Sequence, residues 1–506
     1  MLAVGKARSI FERHSMHPQS GTPKRTILVE STSRRIPLTV FRLSVWQYLE
    51  RSIHRMLCGW ARHQTEWDDV SAHHRQIWDQ TEIVNRLRRR MEQFPGGKAD
   101  APVNQAWETM VETVIDAPTF EDAIDGIFLF LGSALTKAYR TYVAGVHPVH
   151  DAPTISTLTE IIDIRDTHEA WVRAYRIRRP HRTDPSYEER VIHALERLNE
   201  PALFEPPDRD KPGARPVGVV SGFRLPARAG RPLGSDASIE LFPYIRCDFT
   251  SSVEARRLFW AIGYMREKNL AIDMVRWLFD GHHMPWEWTR DVSRHLWDES
   301  RHGDSGFERL KDWGIDLGEV GMITHDSEWI RKDPPDGMTA EAWANEVTRI
   351  PQARVDDSDS ATLDPMTPAE LYEAVFFICM IAEQGHFTVK NEAYDDFKGG
   401  QDLESAEMML FDIIDETTHV QYGHKWLPEL ARHADLDNSG YRERAATIRS
   451  ERQAEEISGT ERCQRLLPRQ PGYAPWDHYQ NLLRRIRACA PLTNAATCQQ
   501  RSPKPM

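Results

Sequence analysis

Two short segments of the chain carry the same arrangement of acids and a histidine. They read DESRH over residues 298–302 and DETTH over residues 415–419. On an α-helix, side chains three positions apart project from one face, so each segment offers a glutamate and an imidazole to a common site, with an aspartate beside them. Such a pair is half of a dinuclear metal site in a four-helix bundle, and the other half is one glutamate on each of two further helices.

Two upstream glutamates complete this set. Glu267 lies 32 residues before Glu299, and Glu383 lies 33 residues before Glu416. If each pair spans a hairpin of two helices, the turns fall midway, within 281–285 and at 399–400, where Gly and Pro break helices. The sequence therefore predicts six metal ligands on two helical hairpins: Glu267, Glu299, His302, Glu383, Glu416 and His419.

Helix-start patterns agree with this layout. Residues 251–254 and 367–370 read as capping boxes, the second with Pro at the first helical position. The 81 residues from His302 to Glu383 include stretches rich in Pro, Asp and Gly. We expect this segment to be a long crossover between the two hairpins.

The environment of Glu383 supports a cation. The preceding residues 374–382 are all apolar, which predicts a helix buried on every side. A carboxylate buried there must pair, bind a cation or take up a proton, because an uncompensated buried charge is very costly.

Four further residues are predicted to lie around the ligands. Asp298 and Asp415 are placed to accept the second N–H of their own or the facing histidine. His386 is expected to be a polar neighbour rather than a ligand. Tyr264, one turn before Glu267, is expected to face the site as a packed core tyrosine, with a redox-active phenol as the alternative.

Residues 251–430 resemble the ferritin-like di-iron carboxylate superfamily. The segment 298–302 is similar to the Asp-Glu-x-Arg-His element of bacterial multicomponent monooxygenases and of the ribonucleotide reductase small subunit, and 266–273 resembles a ligand helix of uncharacterised bacterial ferritin-like proteins. The resemblance implies that the six residues are ligands and that Glu299 and Glu416 bridge the metals. Thr418 departs from the pattern, since the family often has Arg there.

Carboxylate-rich ligation with two imidazoles favours iron, or manganese, over zinc. We therefore expect two Fe ions, with Mn as the alternative, and an O2-activating oxidoreductase that hydroxylates, desaturates or N-oxygenates a small organic substrate. No flavin, nicotinamide or Fe–S motif is present, so a separate reductase would donate electrons. The alternatives are a ferroxidase or iron-handling protein and a metal-free helical interaction scaffold.

Composition sets the broad class. The chain has 506 residues, a net charge of −12 and six Cys without metal-binding spacing, which predicts a cytoplasmic protein with no nucleic-acid partner. No stretch is long and apolar enough for a membrane helix. The expected organisation is all-α: a disordered basic tail (1–40), a helical domain (41–197), a Pro/Gly-rich linker (198–245), a ferritin-like dimetal bundle (246–432), and C-terminal helices with a mobile tail (433–506).

The region 41–197 could be a second, degenerate ferritin-like bundle. Residues 155–162 resemble the closing helix of related proteins, and several side chains resemble ligand positions: Asp79, Glu82, Glu160, Asp163 and His168. No Glu-x-x-His motif occurs there, so a scaffold or a dimerisation surface, and with it a homodimer, is favoured over a second metal site.

Overall fold

The computed structural model describes residues 23–64, 66–95, 97–196, 213–226, 241–320, 337–339, 342–343 and 362–489. These residues are almost entirely helical, and their β-structure is one isolated antiparallel bridge between Pro226 and Thr362. The all-α class predicted from the sequence is therefore confirmed.

The first helical domain, predicted over 41–197, consists of helices in the described residues. Its elements are α1 Pro23–Trp60 with a 3-10 turn Ala61–His63, α2 Trp67–Glu92, α3 Ala106–Ile115, α4 Phe120–Ile124, the π-helix π1 Asp125–Gly132, α5 Ser133–Gly145, α6 Ala152–Arg178 and α7 Pro185–Glu196. Helix α1 begins at Pro23, within the segment 1–40 that was predicted as a tail, and residues 1–22 lie outside the described part. Among the residues whose burial is described, Phe41 is the first of α1 that belongs to the buried core.

The second helical domain carries the predicted hairpins. Its elements are α8 Phe242–Asp248, α9 Val253–Asp280, α10 Trp286–Asp312, α11 Leu317–Val320, α12 Pro368–Val375, the π-helix π2 Phe376–Glu383, α13 Gln384–Gly399 and α14 Leu403–Ala434. The turns between α9 and α10 and between α13 and α14 lie where the midpoints predicted them. Ser252 caps α9 by accepting from the Ala255 N–H, and Thr367 and Glu370 form a full capping box at α12.

Four long helical rods surround the candidate site. Helix α9 packs along α10, the continuous rod α12–π2–α13 packs along α14, and α10 contacts α14. Helices α1 and α2 of the first domain pack against α9 and α10, so one apolar core runs through both domains. The predicted linker and crossover fall largely outside the described residues, at 197–212, 227–240, 321–336 and 344–361.

The C-terminal helices cover one end of the second domain. They are α15 Tyr441–Leu466, which packs on α8 and π2, and α16 Ala474–Ala488, which packs on α9. The predicted mobile tail lies outside the described residues from 490 onward. No helix in the described part of the chain combines the length and apolar character needed to span a bilayer.

The apolar run before Glu383 differs from its prediction in one respect. It forms a π-helix, and one side reaches the surface, since Phe377 is 37% exposed. The prediction that this segment is buried on every side is therefore wrong. Glu383 itself, the last residue of π2, is buried. A π-helical turn changes the angular position of the residues that follow it, and such turns are frequent at functional sites.

Candidate metal centre

Eight side chains converge at one level of the second bundle in two groups of four. The histidine-rich group contains His295, Glu299, Glu383 and His419, and the carboxylate-rich group contains Glu267, His302, Asp412 and Glu416. Within each group, one potential ligand atom per residue lies within 4.8 Å of the others. The structure thus brings all six residues singled out by the sequence together, three in each group, and adds His295 and Asp412.

The two added residues follow from helix geometry. His295 lies four residues before Glu299 on α10, and Asp412 lies four residues before Glu416 on α14. Residues four apart share a helix face, so each joins the group of the glutamate that follows it. This spacing is legible in the sequence, but it is too common among polar helix residues to identify a ligand alone.

The histidine-rich group is compact and buried. His295 Nε2 lies 2.7 Å from Glu383 Oε1 and 3.2 Å from Glu299 Oε1. His419 Nδ1 lies 3.3 Å from Glu299 Oε1 and 3.4 Å from Glu383 Oε1. The imidazole rings of His295 and His419 stack with centroids 3.6 Å apart. Two imidazole nitrogens and two carboxylates therefore face one small volume.

The carboxylate-rich group contains a buried lysine as well. His302 Nδ1 lies 3.1 Å from Glu267 Oε2 and 3.5 Å from Asp412 Oδ1. Lys390 Nζ, from α13, donates to Glu416 Oε1 at 2.6 Å and to Asp412 Oδ1 at 3.0 Å. His302 Nδ1 is also 3.9 Å from Glu299 Oε2, so the two groups adjoin.

The inner atoms of both groups suit a cation. Among the described residues, the buried atoms that form no hydrogen bond of regular geometry include Glu267 Oε2, His295 Nε2, Glu299 Oε1, His302 Nδ1, Glu383 Oε1 and Oε2, Glu416 Oε2 and His419 Nδ1. Buried polar atoms are nearly always hydrogen-bonded. The inward imidazole nitrogens and carboxylate oxygens are atoms of the kind that bind a metal ion, which would take the place of the imidazole protons.

The outer nitrogens of two histidines are held by aspartates from the facing helix. His419 Nε2 lies 3.3 Å from Asp298 Oδ2, and His302 Nε2 lies 3.3 Å from Asp415 Oδ2. An N–H donated from Nε2 leaves Nδ1 as the inward lone pair. The sequence left open whether each aspartate meets its own histidine or the facing one, and the structure selects the facing one.

Arginines keep these aspartates charged. Arg294 Nε donates to Asp298 Oδ2 at 2.8 Å, and Arg301 Nη2 donates to Asp415 Oδ2 at 2.7 Å. Burial alone would raise the pKa of Asp298, but its contacts with His419 and Arg294 outweigh burial and lower the pKa well below the usual range. Asp298 is therefore a carboxylate acceptor at all physiological pH values.

Replacing Asp298 by Asn should weaken metal binding without removing a ligand. Asp298→Asn loses the charge that orients the His419 imidazole, and we expect the affinity of the histidine-rich group to fall by about 10- to 100-fold. Equilibrium dialysis with metal analysis measures this effect. Asp312→Asn, in an exposed pair with Arg309 on the same helix, is the matched control. Equal affinities for the two variants would contradict the orienting role.

The pKa values of the ligand residues are shifted by their charged neighbours and by burial. Burial disfavours charged imidazoles, but facing carboxylates outweigh burial and raise the pKa values of His302 and His419 well above the usual range. Burial and the charge of Glu299 raise the pKa of Glu267 to about 7. The charged imidazoles of His295 and His419 outweigh burial at Glu383 and lower its pKa to about 2. Protons on the imidazoles thus supply positive charge that a metal would replace, so binding should release protons.

The two remaining predicted neighbours differ in their placement. Tyr264 is buried and its hydroxyl donates to Asp412 Oδ2 at 2.8 Å, so it contacts the carboxylate-rich group. His386 is exposed and belongs to neither group. On the same helix, Lys390 is the buried residue that contacts Asp412 and Glu416.

The ligand-like residues of the first domain do not converge as those of the second domain do. His168 Nε2 lies 3.3 Å from Asp79 Oδ2, but Arg86 joins Glu82 to Glu160 near the surface and Asp163 is exposed. Neither of the metal-competent groups found in the described residues contains a side chain of this domain.

Equivalent helix positions relate the two domains. Asp79 and Asp298 are both the thirteenth residue of their helices, α2 and α10, and His168 and His419 are both the seventeenth residue of α6 and α14. Both Asp–His pairs have the same 3.3 Å distance. At the positions equivalent to Glu299, Glu383 and Glu416 stand Gln80, Gly132 and Arg165.

An ion pair fills the corresponding centre of the first domain. Arg165 pairs with Glu50, both side chains are buried, and the Tyr139 hydroxyl donates to Glu50 Oε1 at 2.7 Å. Gln80 also donates to Glu50. The guanidinium thus supplies an internal positive charge for the buried Glu50 carboxylate.

A pocket of about 410 Å³ leads from the surface to the carboxylate-rich group. His302, Asp412 and Tyr264 form its inner wall, and Met408 and Phe411 are apolar residues of its lining. Ser305 and six charged residues complete the lining, the latter being Arg301, Asp304, Glu308, Arg309, Glu404 and Glu407. No residue of the histidine-rich group lines this pocket.

Comparison with known proteins returns no match. No protein-family model, no curated protein and no solved structure matches the chain. The functional assignment therefore depends on the geometry of the two groups.

Proposed function

We propose that this protein is a di-iron, O2-activating oxidoreductase of the ferritin-like carboxylate type, with manganese as the alternative metal. The observation that supports the proposal is the convergence of five carboxylates and three imidazoles from four helical rods at one buried level. The two hairpins, with a long connection between them, are the arrangement that the resemblance to ferritin-like bundles led us to expect.

Each group would hold one metal ion. Glu299 lies in the histidine-rich group and 3.9 Å from His302 of the other, which suits the bridging role that the resemblance implies. Two ferrous ions bound there would supply electrons to O2. The protein's own contribution is to orient the imidazoles through Asp298 and Asp415 and to exclude water from the histidine-rich group.

The pocket gives this activity a place for a substrate. A small organic molecule in it would contact Met408 and Phe411 and would approach the centre beside His302, Asp412 and Tyr264. Because the pocket lining carries both charges and apolar surface, it suits a small molecule with a polar group next to an apolar portion. Hydroxylation, desaturation and N-oxygenation remain the proposed reactions, with a separate reductase as electron donor.

A second candidate is an iron-handling ferroxidase. The exposed acids Glu308, Glu404 and Glu407 line the pocket, and a carboxylate-lined entrance attracts cations. O2 consumption with peroxide release in the absence of any organic molecule would favour this candidate over the oxygenase.

For the first domain we propose a metal-free scaffold of the same ancestry as the second. The Arg165–Glu50 pair at its centre supports this proposal, because it satisfies the buried carboxylate without a metal. This proposal predicts that all bound metal belongs to the second domain.

Anaerobic reconstitution with Fe(II) followed by exposure to O2 tests the proposed function. We expect about two iron ions per chain at saturating Fe(II), as a dinuclear carboxylate site requires, and a transient visible absorption band after O2 is added. Protein that binds no iron, or bound iron that oxidises no faster than free Fe(II), would contradict the proposal. The metal-free chain mixed with O2 is the control for absorbance changes unrelated to iron.

A further inference from the structure

Lys390 occupies an unusual place for a lysine. Its side chain is only 1% exposed, and its Nζ contacts two potential metal ligands, Asp412 and Glu416. It lies seven residues after Glu383, which is close to two helical turns along the same rod. Because the ammonium donates to oxygens that would also bind a metal, lysine and metal compete for the same lone pairs.

A count of the charges shows which carboxylate Lys390 compensates. Five carboxylates and one ammonium leave four negative charges, which two divalent cations balance when the imidazoles are neutral. The histidine-rich group alone carries two negative charges, and the carboxylate-rich group carries three together with Lys390. The lysine therefore compensates the additional carboxylate, Asp412.

We propose that Lys390 makes the two metal positions unequal, so that the histidine-rich group binds its ion first and tightly while the carboxylate-rich group binds its ion last and weakly. This inference builds on the proposed dimetal site. A second cation must approach an ammonium that already holds Asp412 and Glu416, and like charges at this separation repel strongly in a buried site.

The ligand types also favour tighter binding in the histidine-rich group. The histidine-rich group offers two imidazoles, whereas the other offers one, and imidazole ligands favour first-row transition ions over the hard cations that carboxylates accept.

The pocket adds a consequence for function. It reaches the carboxylate-rich group, so the weakly held ion is the one next to solvent and to the proposed substrate position. The centre would exist as a one-metal form at low metal concentration and would become complete only when the second ion is available.

Anaerobic titration with Co(II), followed by visible absorption and calorimetry, tests the order of loading. For the unchanged protein we expect two steps whose dissociation constants differ by at least about tenfold. Lys390→Met keeps the side-chain length but removes the charge. It should lower the dissociation constant of the second Co(II) by at least about tenfold and change that of the first by less than about threefold.

A matched control comes from the other buried lysine of the bundle. Lys268 is fully buried on α9 and bonds to Asp304 and Ser71, outside both groups. Lys268→Met should leave both steps unchanged. If it tightens the second step as much as Lys390→Met does, the effect is not local and the proposal is overturned.

Further outcomes separate this inference from the proposed function. Two equal steps in the unchanged protein, or a second step unaffected by Lys390→Met, would overturn the role of Lys390 but leave a dimetal centre. No Co(II) bound at either position would overturn the dimetal centre itself. If Lys390→Met does not fold, two other variants assign the binding steps. His295→Gln should raise the dissociation constant of the tighter Co(II) step, and Asp412→Asn should raise only that of the weaker step. The opposite assignment would overturn the proposal.

Discussion

The double variant Glu299→Ala/Glu416→Ala is expected to retain less than about 0.2 metal ions per chain, against about two for the unchanged protein at saturating Fe(II). Each substitution removes one carboxylate from a different group, and Glu299 also adjoins His302 of the other group. With two of five carboxylates gone, neither group offers enough negative charge to displace the water bound to a cation. Metal analysis after gel filtration under anaerobic conditions measures the loss.

The control for this experiment is a glutamate on the same helix outside the site. Glu429→Ala on α14 removes an exposed partner of Arg432 and should bind as much iron as the unchanged protein. Far-UV circular dichroism of all variants establishes that the helices persist. Unchanged metal content in the folded double variant would defeat the proposed centre.

Replacing Arg165 by Met is expected to destabilise the first domain by about 3–5 kcal/mol, because it leaves the buried Glu50 carboxylate without its cation. Both side chains are almost fully inaccessible, so water cannot compensate the lost charge. Denaturant unfolding followed by circular dichroism measures the free energy of unfolding.

Two further variants show whether the loss comes from the unpaired carboxylate. The double variant Glu50→Leu/Arg165→Met should recover much of the stability, since exchanging a buried pair for apolar side chains is often close to neutral. Arg140→Met breaks an exposed pair with Asp166 and should cost no more than about 1 kcal/mol. A loss for Arg165→Met as small as that for Arg140→Met would show that the buried pair does not support the domain.

The hairpins could be predicted because their signals are local. Gly and Pro at 281–285 and Gly at 399–400 end helices wherever the chain goes, and the caps at Ser252 and Thr367 act within one turn. Repeated Glu-x-x-His spacing at equal distances from these turns then brought six side chains to one level.

Other features depended on neighbours that are distant in the sequence. His295 and Asp412 share helix faces with predicted ligands, but only the packing of α10 against α14 makes them members of the groups. Lys390 and His386 differ in burial because the π-helical turn at Glu383 and the contact with α14 decide which face of α13 points inward.

The amino-acid sequence by itself determined the helical class, the two hairpins and six of the eight converging side chains, because periodicity and turn chemistry are properties of short segments. Only the tertiary structure decided that the eight side chains form two unlike groups, that a lysine lies in one of them, and that the Arg165–Glu50 pair occupies the centre of the first domain. The physical reason is that charge compensation in a buried site depends on which faces of four rods meet, and that is set by the packing of the whole bundle.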